Sequence, residues 1–280
     1  MRFATVDTAS GPVAVVRRGD RYFRLDGSLR ELLASGRLAA AAAVAASASG
    51  APVEVTPGAL LPVIPDPGKI LCVGRNYVEH VQELGNTVTK SPEIFVRVPT
   101  SLARPAGPVV LPRATERFDW EVELAMIIGK PGRHISRSAA LDYVAGYAVF
   151  NDFTARDFQR ATSQWTPGKN FDQTGPLGPE LVTPDEVSDP AGLDISLTID
   201  GEQMQSSNTK LLIHSLPAII EFLSTFTTLQ PGDVIATGTP GGVGEGRDPK
   251  RFLRAGEVVV STIAGVGELR NVIELESAND

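Results

Sequence analysis

The stretch Asp119-Trp-Glu-Val-Glu-Leu-Ala-Met-Ile-Ile-Gly129 carries two carboxylates, Glu121 and Glu123, inside a run rich in Val, Leu, Met and Ile. Such a run reads as a β-strand, on which residues two apart point to one face, roughly 7 Å from each other by strand rise. Downstream, Tyr143-Val-Ala-Gly-Tyr-Ala-Val-Phe reads as a second strand and leads into Asn151-Asp152, so Asp152 can deliver a third oxygen to the same place. All-oxygen ligation suits Mg²⁺, Mn²⁺ or Ca²⁺ better than Zn²⁺, and three protein ligands leave positions for water and substrate. Alternating Glu on a solvated strand face is the commoner meaning of this spacing, so spacing alone leaves both readings open.

Bulk properties narrow the choice. At 280 residues with 42% apolar content, the chain can build a substantial core, and one large domain with a small appendage fits better than two equal ones. Twenty-six basic residues against thirty-three acidic ones give a net charge of −7, with no Lys/Arg stripe to hold phosphates, which argues against nucleic acid as a partner. No 18-residue apolar run is present and the first residues reach Asp7 before any signal-like segment forms, so no membrane is expected and the expected location is cytoplasmic. The single cysteine, Cys72, excludes an internal disulfide and reads as a small core residue in Lys69-Ile-Leu-Cys-Val-Gly. His80, His134 and His214 are too dispersed for a His-rich zinc motif, and the patterns of serine hydrolases, P-loops and dinucleotide-binding turns are missing.

Residues 1–66 are expected to form a small N-terminal α/β domain: two β-segments around Gly19-Asp20, an alanine-rich surface helix from about Ser28 to Ala46, and a Pro-rich connector. From residue 67 to 280, short β-type runs bounded by Gly and Pro predominate over a few helical patterns near Tyr77–Leu84, Ser138–Tyr143 and His214–Thr225. Strands and helices do not alternate, so the fold class is α+β, mostly β, rather than a doubly wound parallel sheet.

Three further segments carry chemistry. In Gly74-Arg-Asn-Tyr-Val-Glu-His-Val-Gln-Glu-Leu-Gly, His80 and Glu83 are three apart, which on a helix puts them in contact. A carboxylate beside imidazole fixes its tautomer and makes it a competent base near neutral pH. Thr166-Pro-Gly-Lys-Asn-Phe-Asp places Lys169 in a Pro/Gly-rich loop suited to presenting an ammonium to an anionic oxygen. Pro231-Gly-Asp-Val-Ile-Ala-Thr-Gly-Thr-Pro-Gly-Gly-Val-Gly reads as a turn, a strand and a loop whose glycines allow close ligand approach, with Thr237 and Thr239 as hydrogen-bonding groups.

Taken together, Cys72-Val-Gly-Arg-Asn-Tyr-Val-Glu-His, Asp119-Trp-Glu-Val-Glu-Leu, Ala145-Gly-Tyr-Ala-Val-Phe-Asn-Asp, Gly168-Lys-Asn-Phe-Asp, Gly175-Pro-Leu-Gly-Pro and Pro231-Gly-Asp-Val-Ile-Ala-Thr-Gly-Thr-Pro resemble the fumarylacetoacetate hydrolase family from about Lys69 to Val272. The resemblance, nearest the acylpyruvase and 2-hydroxyhepta-2,4-diene-1,7-dioate isomerase branch, implies a homodimer with a β-roll body and a divalent metal, Mg²⁺ or Mn²⁺ with Ca²⁺ as a substitute, on Glu121, Glu123 and Asp152. It also implies His80, Glu83 and Lys169 as catalytic groups, and Arg75, Tyr77, Arg156, Gln159 and Thr239 as substrate-binding ones. Asn170, Gln173 and the Asn86-Thr-Val-Thr-Lys loop depart from the family's common sequences and are expected to shape the far end of a substrate. The expected reaction is C–C hydrolysis of an acylpyruvate-type 2,4-dioxo acid, with water activated by His80 and Glu83. The rivals are oxaloacetate decarboxylation, isomerisation of an unsaturated 2-hydroxy dioate, and a noncatalytic relative.

Overall fold

A computed structural model of the chain, described over residues 1–47 and 51–277, puts Val122–Ile128 in the middle of the larger of two main sheets. The chain begins with strands β1 (Arg2–Val6), β2 (Val13–Arg18) and β3 (Arg21–Arg24), then helices α1 (Leu29–Ala34) and α2 (Leu38–Ser47). β4 (Ile70–Gly74), α3 (Val78–Glu83), β5 (Glu93–Arg97), β6 (Leu102–Ala103), β7 (Ala106–Leu111) and β8 (Phe118–Asp119) lead into β9 (Val122–Ile128). There follow β10 (Val144–Asn151), β11 (Thr154–Ala155), α4 (Arg156–Arg160), α5 (Thr166–Lys169), β12 (Gly175–Val182), β13 (Asp194–Ile199) and β14 (Glu202–Asn208). α6 (Leu216–Phe226), β15 (Val234–Ala236), β16 (Val258–Ile263) and β17 (Gly267–Leu275) complete the order.

The larger sheet runs β3-β2-β1-β12-β10-β9-β15-β4-β5, and the smaller runs β14-β13-β16-β17-β7. β9 is buried along its whole length, which is why its sequence is a continuous apolar run rather than an alternating one. Val122, Leu124, Met126 and Ile128 share a core with Ile195, Leu197, Ile263 and Leu269 of the smaller sheet and with Ile219, Ile220 and Leu223 of α6. Ala125 and Ile127, of opposite parity, join a second core with Phe3, Leu29, Leu32, Ile70 and Cys72. The mostly β, α+β class expected from the sequence is the class found, and Cys72 is the buried core residue it was expected to be.

The first 66 residues share a sheet with the rest of the chain, because β1 pairs antiparallel with β12 at Arg2↔Val182 and Phe3↔Leu181. The helix expected across Ser28–Ala46 is two helices, since Gly36 takes the left-handed conformation (φ 67°) between them. Ser28 caps the first with a reciprocal box to Glu31. The Ser138–Tyr143 pattern is a 3₁₀ helix over Arg137–Tyr143. β1, β12 and β14 escape the sequence reading. β12 is punctuated by Gly and Pro, and β14, Glu-Gln-Met-Gln-Ser-Ser-Asn, has little of the apolar signal on which strand recognition depends.

Register brings four chain segments to one end of the larger sheet. β9 and β10 are antiparallel with Val122 opposite Asn151, so the start of one lies beside the end of the other. β15 runs antiparallel to β9, Ala236 opposite Ala125, and parallel to β4, Ala236 opposite Cys72. Glu121, Glu123, Asp152, the Gly238-Thr239 loop and the β4–α3 connection therefore converge. α5 arrives by close packing: a Cβ on Gly168 would lie 2.5 Å from the Gln159 nitrogen and 2.6 Å from the Ala155 oxygen. Gly168→Ala is expected to destabilise the protein by about 1–3 kcal/mol and to displace Lys169, read as a lowered Tm in thermal unfolding.

Candidate active site

Glu121, Glu123 and Asp152 are buried, and among the described residues they form the one group of His, Cys, Asp and Glu side chains whose candidate ligand atoms all lie within 4.8 Å of one another. Burying three carboxylates together is costly unless cations answer them. Lys169 Nζ donates to Glu121 Oε2 (2.7 Å) and Asp152 Oδ2 (2.6 Å). Arg97 Nη1 donates to Asp152 Oδ1 (2.5 Å), and Arg156 Nη2 lies 2.6 Å from Glu121 Oε1. Burial opposes ionisation of Glu121, but Lys169 and Arg156 outweigh it and hold its carboxyl below the usual range. Burial likewise opposes the Lys169 charge, and Asp152 and Glu121 overcome it, so the ammonium keeps its proton more tightly than usual.

Glu123 is the exception. Its hydrogen-bond partner is the Gly238 N–H, which donates to Oε2 (2.8 Å). Burial, then Asp152 and Glu121, push its carboxyl well above the ordinary range. A three-carboxylate cage with one member lacking a cationic partner is a donor set that a divalent, oxygen-preferring ion completes. The residues present therefore fit a divalent cation; its identity does not follow from them.

Beside this cage is a cavity of about 270 Å³ whose wall includes His80, Glu121, Glu123, Lys169, Thr239, Arg75, Arg156 and Gln159. His80 is buried on α3, and its Nδ1 is 2.8 Å from Glu83 Oε1, while the Gly242 N–H donates to Glu83 Oε2 (2.7 Å). Glu83 stands behind His80, outside the wall, as an orienting group. Lys169, expected on a loop, ends the short helix α5 and is buried. Arg156 donates from Nε to Asp119 Oδ2 (2.8 Å) and from Nη1 to Gln159 Oε1 (3.0 Å), so it braces the cage. Thr239 accepts from Gln205 Nε2 (2.8 Å), whereas Thr237 is buried and donates to the Leu124 carbonyl.

Tyr77 is not in the cavity wall: it is fully buried at the start of α3 and its hydroxyl has no hydrogen-bond partner. Asn170 and Gln173 are not in the wall either; Asn170 pins the chain to Val96 and Val98. Asn86 does line it and accepts from Arg75 Nη1 (2.8 Å). Sequence reasoning overlooked Arg97, Asp119, Trp165 and Gln205. The signal for Arg97 was available, because it shares strand parity with the buried Phe95 in Glu93–Arg97. Trp165 packs on Gly74, where a Cβ would be 2.2 Å from its ring, with Arg75 5.2 Å from the ring centroid. Its neighbourhood is tertiary and leaves no local pattern.

The sequence model of the fumarylacetoacetate (FAA) hydrolase C-terminal domain matches residues 69–274. The chain belongs to the fumarylacetoacetate hydrolase family. It is 44% identical over 216 residues to the mitochondrial oxaloacetate tautomerase of Xenopus laevis, covering 76% of this chain and 68% of that one. A fumarylacetoacetate hydrolase from Exiguobacterium antarcticum superposes with a TM-score of 0.88 at 32% identity, covering 99% and 100% of the two chains. A 5-carboxymethyl-2-hydroxymuconate delta-isomerase from Mycobacterium smegmatis gives 0.79 at 30%, with the same coverage. The chain is thus an enzyme of a family with members named as a tautomerase, a hydrolase and an isomerase. No helix among the described residues is long and apolar enough to cross a membrane. The expected cytoplasmic location stands against a relative named as mitochondrial.

Arg97→Met is expected to cost about 3–5 kcal/mol, the scale for removing one partner of a buried ion pair, read by urea unfolding of chelator-treated protein. Glu123→Ala is expected to weaken Mn²⁺ binding at least about 10-fold, measured by titration calorimetry.

Proposed function

We propose that this enzyme moves a proton at the carbon beside the 2-oxo group of a small 2-oxo acid, tautomerising a dicarboxylate of the oxaloacetate kind. The observation that carries it is His80 in the wall of the cavity next to the carboxylate cage, with Nδ1 held by Glu83. Glu121, Glu123 and Asp152 would hold a divalent cation, which would supply Lewis-acid polarisation of a 2-oxo carbonyl. With Nδ1–H donating its hydrogen bond to Glu83, Nε2 keeps its lone pair and takes a proton from the substrate carbon, and the resulting imidazolium is stabilised by the Glu83 carboxylate. Protonation of the enolate oxygen by way of solvent completes the keto-to-enol direction; in reverse the enol O–H proton leaves to solvent and the imidazolium protonates the carbon. Lys169, buried in the cavity wall beside the cage, is the cation assigned to stabilise negative charge developing on the substrate oxygens. The 44% identity to an oxaloacetate tautomerase supports the substrate class.

A second reading has its own support. The same Nε2 can take a proton from water that attacks the distal carbonyl of an acylpyruvate, and collapse of the adduct then breaks the C–C bond to give a carboxylic acid and pyruvate. The likeness to a protein named as a hydrolase favours this route. A homodimer belongs to the same proposal, and sedimentation at twice the 29.7 kDa chain mass checks it.

The deciding assay follows the enol absorbance of oxaloacetate, and acetate and pyruvate release from acetylpyruvate, each with Mg²⁺, Mn²⁺ and EDTA. Metal-dependent keto–enol exchange of oxaloacetate, faster than acetylpyruvate cleavage, is expected. Faster cleavage makes the enzyme a hydrolase, and silence on both rejects the 2-oxo acid reading. His80→Asn is expected to lower kcat about 100- to 10,000-fold while leaving Mn²⁺ affinity unchanged.

A further inference from the structure

Four Arg and Lys side chains line the cavity, and in three of them every side-chain nitrogen faces a carboxylate or amide oxygen of the protein. Arg75 gives Nε and Nη2 to Glu93 and Nη1 to Asn86. Arg156 donates to Asp119 and Gln159, and its Nη2, which makes no hydrogen bond, is ion-paired with Glu121 at 2.6 Å. Lys169 is shared between Glu121 and Asp152. Arg160, at the end of α4, differs: its side chain is 52% exposed, and its Nη1 touches a single carboxylate, Glu245 Oε1 (2.9 Å). That carboxylate is 1% exposed and is also held by Lys250 Nζ at 2.5 Å. Two cations thus share one anion, which leaves one unit of positive charge at the cavity mouth, with guanidinium donors still free to turn inward. Glu245 is a rigid anchor because it follows Gly244, and both backbone N–H groups donate to the buried Asp119.

We propose that Arg160 is a specificity-determining residue that binds a second, distal carboxylate, so that the cavity selects 2-oxo or 2-hydroxy dicarboxylates over monocarboxylates. The inference rests on the reading that the 2-oxo acid end sits at the carboxylate cage. With that end placed there, the opposite end of a four-carbon acid points away from the cage. Among the Arg and Lys side chains lining the cavity, Arg160 alone keeps side-chain nitrogens that face no protein acceptor. A guanidinium presents two parallel N–H groups to a carboxylate, and Glu245 occupies only one nitrogen.

The test compares malate with lactate, which share the 2-hydroxy acid end and differ in the distal carboxylate, by calorimetry on Mg²⁺-loaded protein; oxalate reports the metal end alone. Wild type is expected to prefer malate by roughly 10- to 100-fold, the range for hydrogen bonds to a charged group. Arg160→Met removes the preference and leaves oxalate affinity unchanged, and Arg160→Lys restores part of it. No malate preference in the wild type, a preference that survives in Arg160→Met, or an equal loss of oxalate affinity in that variant each overturns the assignment. Oxaloacetate turnover measured in parallel reports on the reaction itself: an inactive wild type that still prefers malate in an Arg160-dependent way rejects the tautomerase reading and keeps the carboxylate site.

Discussion

Three carboxylates buried at the end of a central strand are the constraint around which this protein is organised. Effective desolvation of each such charge costs several kcal/mol in a protein interior, so the fold must bring compensating groups from distant parts of the chain. Arg97 comes from the edge strand β5, Lys169 from α5 and Arg156 from α4, and they meet Glu121 and Asp152 at 2.5–2.7 Å. Lys169 reaches both carboxylates only because Gly168 lets α5 approach α4 at backbone distance. Glu123 is left with one N–H, and that imbalance leaves the ionic core with a donor set that fits a divalent cation. A cage with every carboxylate matched by a cation has no need of a divalent ion.

The same constraint explains what was legible in the sequence. Glu121 and Glu123 stand out because they interrupt an apolar run, and Asp152 because it ends another; each is a local anomaly. His80 and Glu83 are legible because their contact lies within one helix, at a spacing of three. Their partners were harder to see. Arg97 shares strand parity with the buried Phe95 and Lys169 stands out in its Pro/Gly-rich stretch, but which carboxylates they meet depends on which strands and helices become neighbours, a tertiary outcome that no window of residues contains. Tyr77 shows the converse. It lies in a conspicuous motif beside Arg75 and His80, yet the turn of the chain into α3 buries its ring behind the cavity wall.

The glycine-rich loop after β15 shows how a correct local signal can carry the wrong cause. Its glycines do permit close approach, as the sequence suggests, but much of what approaches is the protein itself. A Cβ on Gly242 would lie 2.2 Å from the Met204 carbonyl oxygen, one on Gly244 1.8 Å from that of Arg251, and one on Gly246 2.8 Å from the Glu83 carboxyl carbon. Gly242 and Gly238 take φ values of 102° and 103°, open to glycine without strain. The loop can therefore fold tightly enough for the Gly238 N–H to reach Glu123 and the Gly242 N–H to reach Glu83. One segment thereby contacts both the carboxylate cage and the Glu83 carboxylate that holds His80, and fixes the distance between the two. A side chain at Gly246 would push Glu83 and loosen His80 without touching a single cage ligand. In this enzyme the separation between His80 and the carboxylate cage is set by backbone amides that only glycine can bring so close.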